Sequence, residues 1–114
     1  MSVIDTIKEQ IEGNDILLYM KGTPRFPQCG FSSRASEAVM ACGERFAFVN
    51  ILENPDIRAE LPKYADWPTF PQLWVEGELI GGCDIIVEMF QKGELQELIT
   101  EVAARHPQPE SDAQ

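Results

Sequence analysis

The sequence predicts an α/β domain in which a small, four-stranded mixed sheet is covered by helices on both faces. Three observations lead there. Two short apolar runs, "DILLYMKG" and "RFAFVNI", are separated by a helical pattern, as in a βαβ unit. A later stretch, "FPQLWVEGELIGG", reads as two strands meeting at Glu-Gly, a hairpin turn. Helical periodicity fills both ends of the chain.

In order, "SVIDTIKEQIEGN" sets Ile4, Ile7 and Ile11 on one helical face, with Gly13 and Asn14 as the stop. "DILLYMKG" is short and apolar enough for a central strand. "TPRFPQ" holds two prolines and must be a loop, since each fixes φ and lacks an N–H. After Cys29 the pattern turns helical: Ala35, Ala38, Val39 and Cys42 share a stripe, and Gly43 is a C-cap candidate. "RFAFVNI" is the second strand. "NPDIRAELPKYA" opens on an asparagine cap and a first-turn proline, and Pro62 is expected to end or bend that helix. After the hairpin, "CDIIVEMFQKG" and "GELQELITEVAAR" are helices, the second burying Leu95, Leu98, Ile99 and Val102. The order α-β-α-β-α-β-β-α-α is that of a thioredoxin-like domain. One domain over 1–106 is expected, followed by a flexible acidic tail over 107–114.

The chain has 114 residues, and an apolar content of 44% supports a real core. A net charge of −10 argues against nucleic acid or an anionic membrane as partner. The acid is unevenly spread. From Lys21 to Lys63 the net charge is +1, which leaves −11 elsewhere. That excess is either solubilising surface or the sign that an anionic ligand is met in the less acidic segment. Three cysteines without framework spacing argue against a disulfide-built secreted protein. No leader pattern opens the sequence and no apolar run is long enough for a membrane span, so the cytoplasm is expected.

The chemistry gathers at Cys29. It lies just before a helix N-terminus, where unpaired amides and the helix dipole favour a thiolate, and Lys21 could bring an ammonium to the same sulfur. A free cysteine is more often an inert small hydrophobe. Here the polar, proline-rich surroundings oppose that reading. Ser32 stands where a dithiol motif would carry its second cysteine, so a self-contained CxxC couple is excluded. Its ordinary role is helix capping. Phe31 either stands exposed beside the thiol or packs inward. Cys42 ends an apolar stripe and reads as core. Cys83, after Gly81-Gly82 and before Asp84, is either a resolving thiol or a small residue in a tight corner. Its amide and that of Asp84 are open to an anion in both cases. His106 reads as solvated surface. Pro71 precedes a strand, and a cis bond there would turn the Phe70 backbone outward to an extended peptide.

Together "KGTPRFPQCGFS", "NPDIR" and "WPTFPQLWVEGELIGGCD" resemble the monothiol glutaredoxins of the Cys-Gly-Phe-Ser class, over about residues 3 to 104. The resemblance implies a glutathione-binding carrier of a [2Fe–2S] cluster that serves iron–sulfur biogenesis and iron homeostasis. It implies that Cys29 ligates one iron and a bound glutathione thiol supplies a second ligand. A second chain completes the set in a cluster-bridged homodimer. Lys21 and Arg58 would hold the glycyl carboxylate, the backbone of Phe70 before cis Pro71 would pair with the cysteinyl segment, and Cys83 and Asp84 would take the γ-glutamyl end. Heterodimers with BolA-like proteins and transfer to iron–sulfur acceptor proteins are also implied. The loop residues Arg25, Phe26 and Gln28 would tune partner contacts. The alternative activity is glutathione-dependent disulfide reduction by one thiol (deglutathionylation), which Ser32 does not exclude.

Overall fold

A computed structural model describes residues 2–107, which form five helices and four strands. The first helix, α1 (Val3–Gly13), starts at a reciprocal cap. The Ser2 hydroxyl accepts from the Asp5 amide at 3.1 Å, and the Asp5 carboxylate accepts from the Ser2 amide at 3.4 Å. It ends where the Asn14 side chain donates to the Gln10 carbonyl at 2.8 Å. There follow β1 (Ile16–Met20), α2 (Gly30–Ala41), β2 (Ala47–Asn50), α3 (Pro55–Ala65), β3 (Gln72–Val75), β4 (Glu78–Gly81), α4 (Cys83–Gln91) and α5 (Glu94–Arg105).

The strand order is β2-β1-β3-β4, with β1 and β2 parallel and the other pairs antiparallel. All five residues of β1 are buried because neighbouring strands cover its edges and helices cover both faces. Register sorts the core. Leu17 lies between Ala47 and Trp74, and Leu18 between Phe48 and Leu73, so alternate residues serve opposite faces. Leu18 and Leu73 pack with α2, α4 and α5, whereas Leu17, Tyr19 and Trp74 pack with α1 and α3. Burying a side chain such as Leu18 contributes roughly 1.5–3 kcal/mol.

Glu76 and Gly77 form the expected hairpin turn, both with positive φ (50° and 83°), as a two-residue turn of this hand demands. Pro62 does not end its helix: α3 runs through it to Ala65 and closes on Asp66 in the left-handed region. The proline forfeits the one ladder bond of its missing N–H, and its own carbonyl accepts from the Trp67 amide at 3.0 Å. The expected tail lies outside the described residues beyond Pro107.

His106 is at the surface, as expected, but it is not solitary. Its Nε2 lies 2.8 Å from Glu76 and its Nδ1 3.4 Å from Asp15, while Arg105 donates twice to Glu76 at 2.7 and 3.2 Å. These bonds fasten the end of α5 to the hairpin. The Arg105 bonds, then that of His106, hold the Glu76 carboxyl down at about 2. A carboxyl depressed on folding stabilises the protein above its unfolded value and ceases to do so as pH falls towards the folded one. The thermal midpoint of Glu76→Gln should therefore change less than that of the parent between about pH 4.5 and 2. Equal slopes would remove the clasp from the account.

Candidate functional site

The loop ahead of the thiol is held at both ends. Lys21 leaves β1 with its amide donating to the Ser32 hydroxyl at 3.0 Å and its carbonyl accepting from the Gln28 amide at 2.9 Å. Gly22 bridges to Pro27 and donates to the Asn50 side chain at 2.9 Å. Thr23 and Phe26 close the tip with reciprocal backbone bonds of 3.0 and 3.3 Å. The loop is thus a miniature hairpin, with Pro24 in its tip and Pro27 at its base, and Phe26 stands out from it 71% exposed.

The loop delivers Cys29 as the N-cap residue of α2, half-buried, with extended backbone (φ −157°, ψ 138°). Ser32 is therefore not the cap. It lies three residues inside the helix, fully buried, and accepts from the Lys21 amide instead. That bond ties the strand end to the helix start and fixes where Lys21 and Cys29 stand. No side-chain bond caps the first turn, and the Phe31 and Ser32 amides are directed at the sulfur. The Cys29 thiol is held below the ordinary range, chiefly by the Ser32 amide. Partial burial opposes this, and the Phe31 amide, the Lys21 ammonium and the Ser32 hydroxyl assist.

Cys29 opens on a cavity of about 690 Å³ whose walls include Lys21, Arg58, Phe70, Cys83 and Asp84. Every residue singled out from the sequence for this site thus borders one space. Arg58 reaches it from α3, one turn beyond the Asn54 cap position. The Phe70–Pro71 bond is cis, and neither the amide nor the carbonyl of Phe70 has a hydrogen-bond partner among the described residues. Cys83 and Asp84 open α4, whose first turn also lacks a side-chain cap. No carboxylate among the described residues lies within ion-pair distance of Lys21 or Arg58. Two uncapped helix N-termini and two unneutralised cations therefore face one cleft, a field that attracts anions.

Phe31 is 55% exposed and lines the cleft, which decides between its two readings. Cys42 is core: it is 5% exposed, its thiol donates to the Ala38 carbonyl at 3.4 Å, and burial pushes its pKa up. Cys83 is 8% exposed at the cavity wall, and burial raises its pKa as well. The sequence reading did not assign Trp67 and Gly82 to the wall. A Cβ on Gly82 would lie 3.3 Å from the Pro71 carbonyl and 3.4 Å from the Trp67 indole nitrogen. The Gly-Gly pair before a helix was the available signal for that close approach. Gln72, fully buried, braces the same wall by donating to the carbonyls of Trp67 (3.1 Å) and Thr69 (3.2 Å) while accepting from Trp74 (3.1 Å).

The three thiols should separate by reactivity. Brief alkylation across a pH series is expected to modify Cys29 first, with a midpoint below that of an ordinary thiol, while Cys42 stays unmodified. Peptide mapping by mass spectrometry reads this directly. First modification at Cys42, or a Cys29 midpoint at or above the ordinary value, would contradict the assigned environment.

The glutaredoxin family profile matches residues 16–80. The sequence is 66% identical over 113 residues to glutaredoxin 4 of Escherichia coli K12, covering 99% of this chain and 98% of that protein. It is 69% identical over 106 residues to glutaredoxin 4 of Haemophilus influenzae (strain 86-028NP), covering 93% and 99%. Among solved structures, reduced poplar apo GrxS14 superposes with a TM-score of 0.75 at 43% identity, covering 90% of this chain and 94% of that one.

Proposed function

The chain belongs to the glutaredoxin family, and from that premise we propose that it binds glutathione in this cavity and uses it to hold and pass on a [2Fe–2S] cluster. The observation that carries the reading is the half-exposed, anion-favouring Cys29 at the mouth of a cleft faced by two uncapped helix starts and two free cations. A tripeptide with a carboxylate at each end suits that field. Lys21 and Arg58 hold the glycyl carboxylate, and the open backbone groups of Phe70 pair with the cysteinyl segment. The amides of Cys83 and Asp84 receive the γ-glutamyl carboxylate, while the Asp84 carboxylate accepts from the α-amine.

Thiolate is the ligand type that suits iron–sulfur clusters. Among the described residues no group of three or more His, Cys, Asp or Glu could hold a metal ion. The remaining ligands then come from glutathione and a second chain. That chain is a copy of this one in a cluster-bridged homodimer, or a BolA-like partner. Transfer is ligand exchange, in which thiolates of an acceptor protein displace Cys29 and glutathione. We place this activity in the cytoplasm, in iron–sulfur biogenesis and iron homeostasis, and assign it to residues 1–106. Among the described residues no helix is long and apolar enough to cross a membrane.

Anaerobic reconstitution with iron, sulfide and glutathione tests the reading. Visible absorption of the cluster type should appear together with a dimer by sizing, and both should be lost when small thiols are withheld. A colourless monomer in the presence of glutathione would overturn it.

The lowered Cys29 pKa also favours a second activity, removal of glutathione from glutathionylated proteins. The Cys29 thiolate attacks the glutathione sulfur and releases the protein thiolate. A second glutathione thiolate then attacks the resulting mixed disulfide, giving oxidised glutathione and restoring Cys29. Turnover on a glutathionylated peptide that vanishes in Cys29→Ser would establish it.

A further inference from the structure

We propose that Arg34, which borders the cavity behind Phe31 and Cys83, is a specificity-determining residue, its guanidinium meeting the α-carboxylate of the γ-glutamyl end of glutathione beside the start of α4. The assignment rests on the glutathione reading above.

Two contacts place the group. The guanidinium carbon lies 5.4 Å from the centre of the Phe31 ring, and its charge also bears on the Cys83 thiol, offsetting part of the burial that raises it. Phe31 and Cys83 both line the cavity. Arg34 therefore emerges from α2 between an exposed aromatic wall and the first residue of α4. The flat stacking surface restrains a side chain that would otherwise sweep freely through solvent.

The guanidinium also donates towards the Cys83 thiol, but no carboxylate among the described residues neutralises it. None lies within ion-pair distance of Arg34, although Asp84 is only one residue beyond Cys83. That arrangement answers a difficulty in the ligand. The γ-glutamyl end is a zwitterion, with ammonium and carboxylate on one carbon. Asp84 suits the ammonium but repels the carboxylate beside it. Helix amides alone offset this weakly at an exposed site. A guanidinium beside Cys83 restores the balance, and its planar fork matches a carboxylate in geometry.

The test is calorimetric titration of the reduced, cluster-free protein with three ligands. They are glutathione, its analogue with 4-aminobutyrate replacing γ-glutamate (no α-carboxylate), and its glycinamide. Arg34→Gln should bind glutathione about threefold to tenfold more weakly, the range of one partly exposed charged contact. It should bind the decarboxylated analogue within twofold of the parent, and its penalty for the glycinamide should be unchanged. Arg34→Lys should recover part of the loss, since it keeps the charge without the fork.

Equal weakening of glutathione and the decarboxylated analogue would overturn the assignment and leave Arg34 as a support for Phe31. Unaltered glutathione affinity would overturn it as well. If the parent protein binds no glutathione at millimolar concentration, the functional reading falls and this assignment falls with it. If the parent binds and Arg34→Gln matches it, only Arg34 is misassigned.

Discussion

Cys29→Ser protein, reconstituted with iron, sulfide and glutathione, is expected to remain colourless, with at least about tenfold less bound iron than the parent. The helix amides that favour a thiolate cannot hold a serine alkoxide near neutral pH, because an alcohol is far less acidic than a thiol. The protein then offers a hard, neutral oxygen where a cluster's iron would be held by a soft thiolate. Cys42→Ser should colour normally, since that thiol is buried in the core and already bonded to the Ala38 carbonyl. Cys83→Ser keeps the backbone amide and should retain most of the colour. Iron and sulfide analysis beside visible spectra decides the matter. Cluster held by Cys29→Ser, or lost from Cys42→Ser, would move the ligand elsewhere.

Gly22→Ala should be the most damaging single-atom change near the site. Gly22 has φ +95°, and an added Cβ would lie 2.5 Å from the Phe26 carbonyl oxygen and 2.7 Å from the Gln28 nitrogen. Both are backbone atoms, so the clash is relieved only by opening the miniature hairpin and its Gly22–Pro27 bridge. Left-handed strain of about 1–2 kcal/mol and overpacking of about 1–3 kcal/mol act together. A loss of roughly 2–5 kcal/mol follows, lowering Tm by roughly 10–20 °C. Gly43→Ala is the control. Its φ of +76° carries similar strain, but nothing lies within 4 Å of the new atom, so only the first cost of about 1–2 kcal/mol applies. Urea unfolding of both variants measures the difference, and equal losses would refute the steric argument.

Much of the architecture could be read from the residues because each element advertises itself locally. The apolar run of β1 needs burial on both faces, Glu76-Gly77 supplies the turn, and the stripe of Ala35, Ala38 and Val39 selects the buried side of α2. The same was true of Cys29, whose neighbours are too polar for a core. What could not be read depends on partners distant in sequence. Ser32 looks like a cap by type, yet the Lys21 amide, eleven residues earlier, claims its hydroxyl. Pro62 argues for an end by type, but α3 absorbs one missing ladder bond and runs on to Ala65. His106 meets Asp15 and Glu76 only after the sheet has formed, a pairing no local pattern encodes. Arg34 belongs with these, since its position beside Cys83 depends on how α2 meets α4.

The cavity draws on residues from Lys21 to Ile85, carried by segments that only the closed sheet brings together. Whatever fills it is therefore bound by the native state and ignored by the unfolded chain. By mass action, glutathione at a hundredfold its dissociation constant would add about 2.7 kcal/mol to folding. Resistance to heat would then track the abundance of the cell's own small-thiol pool.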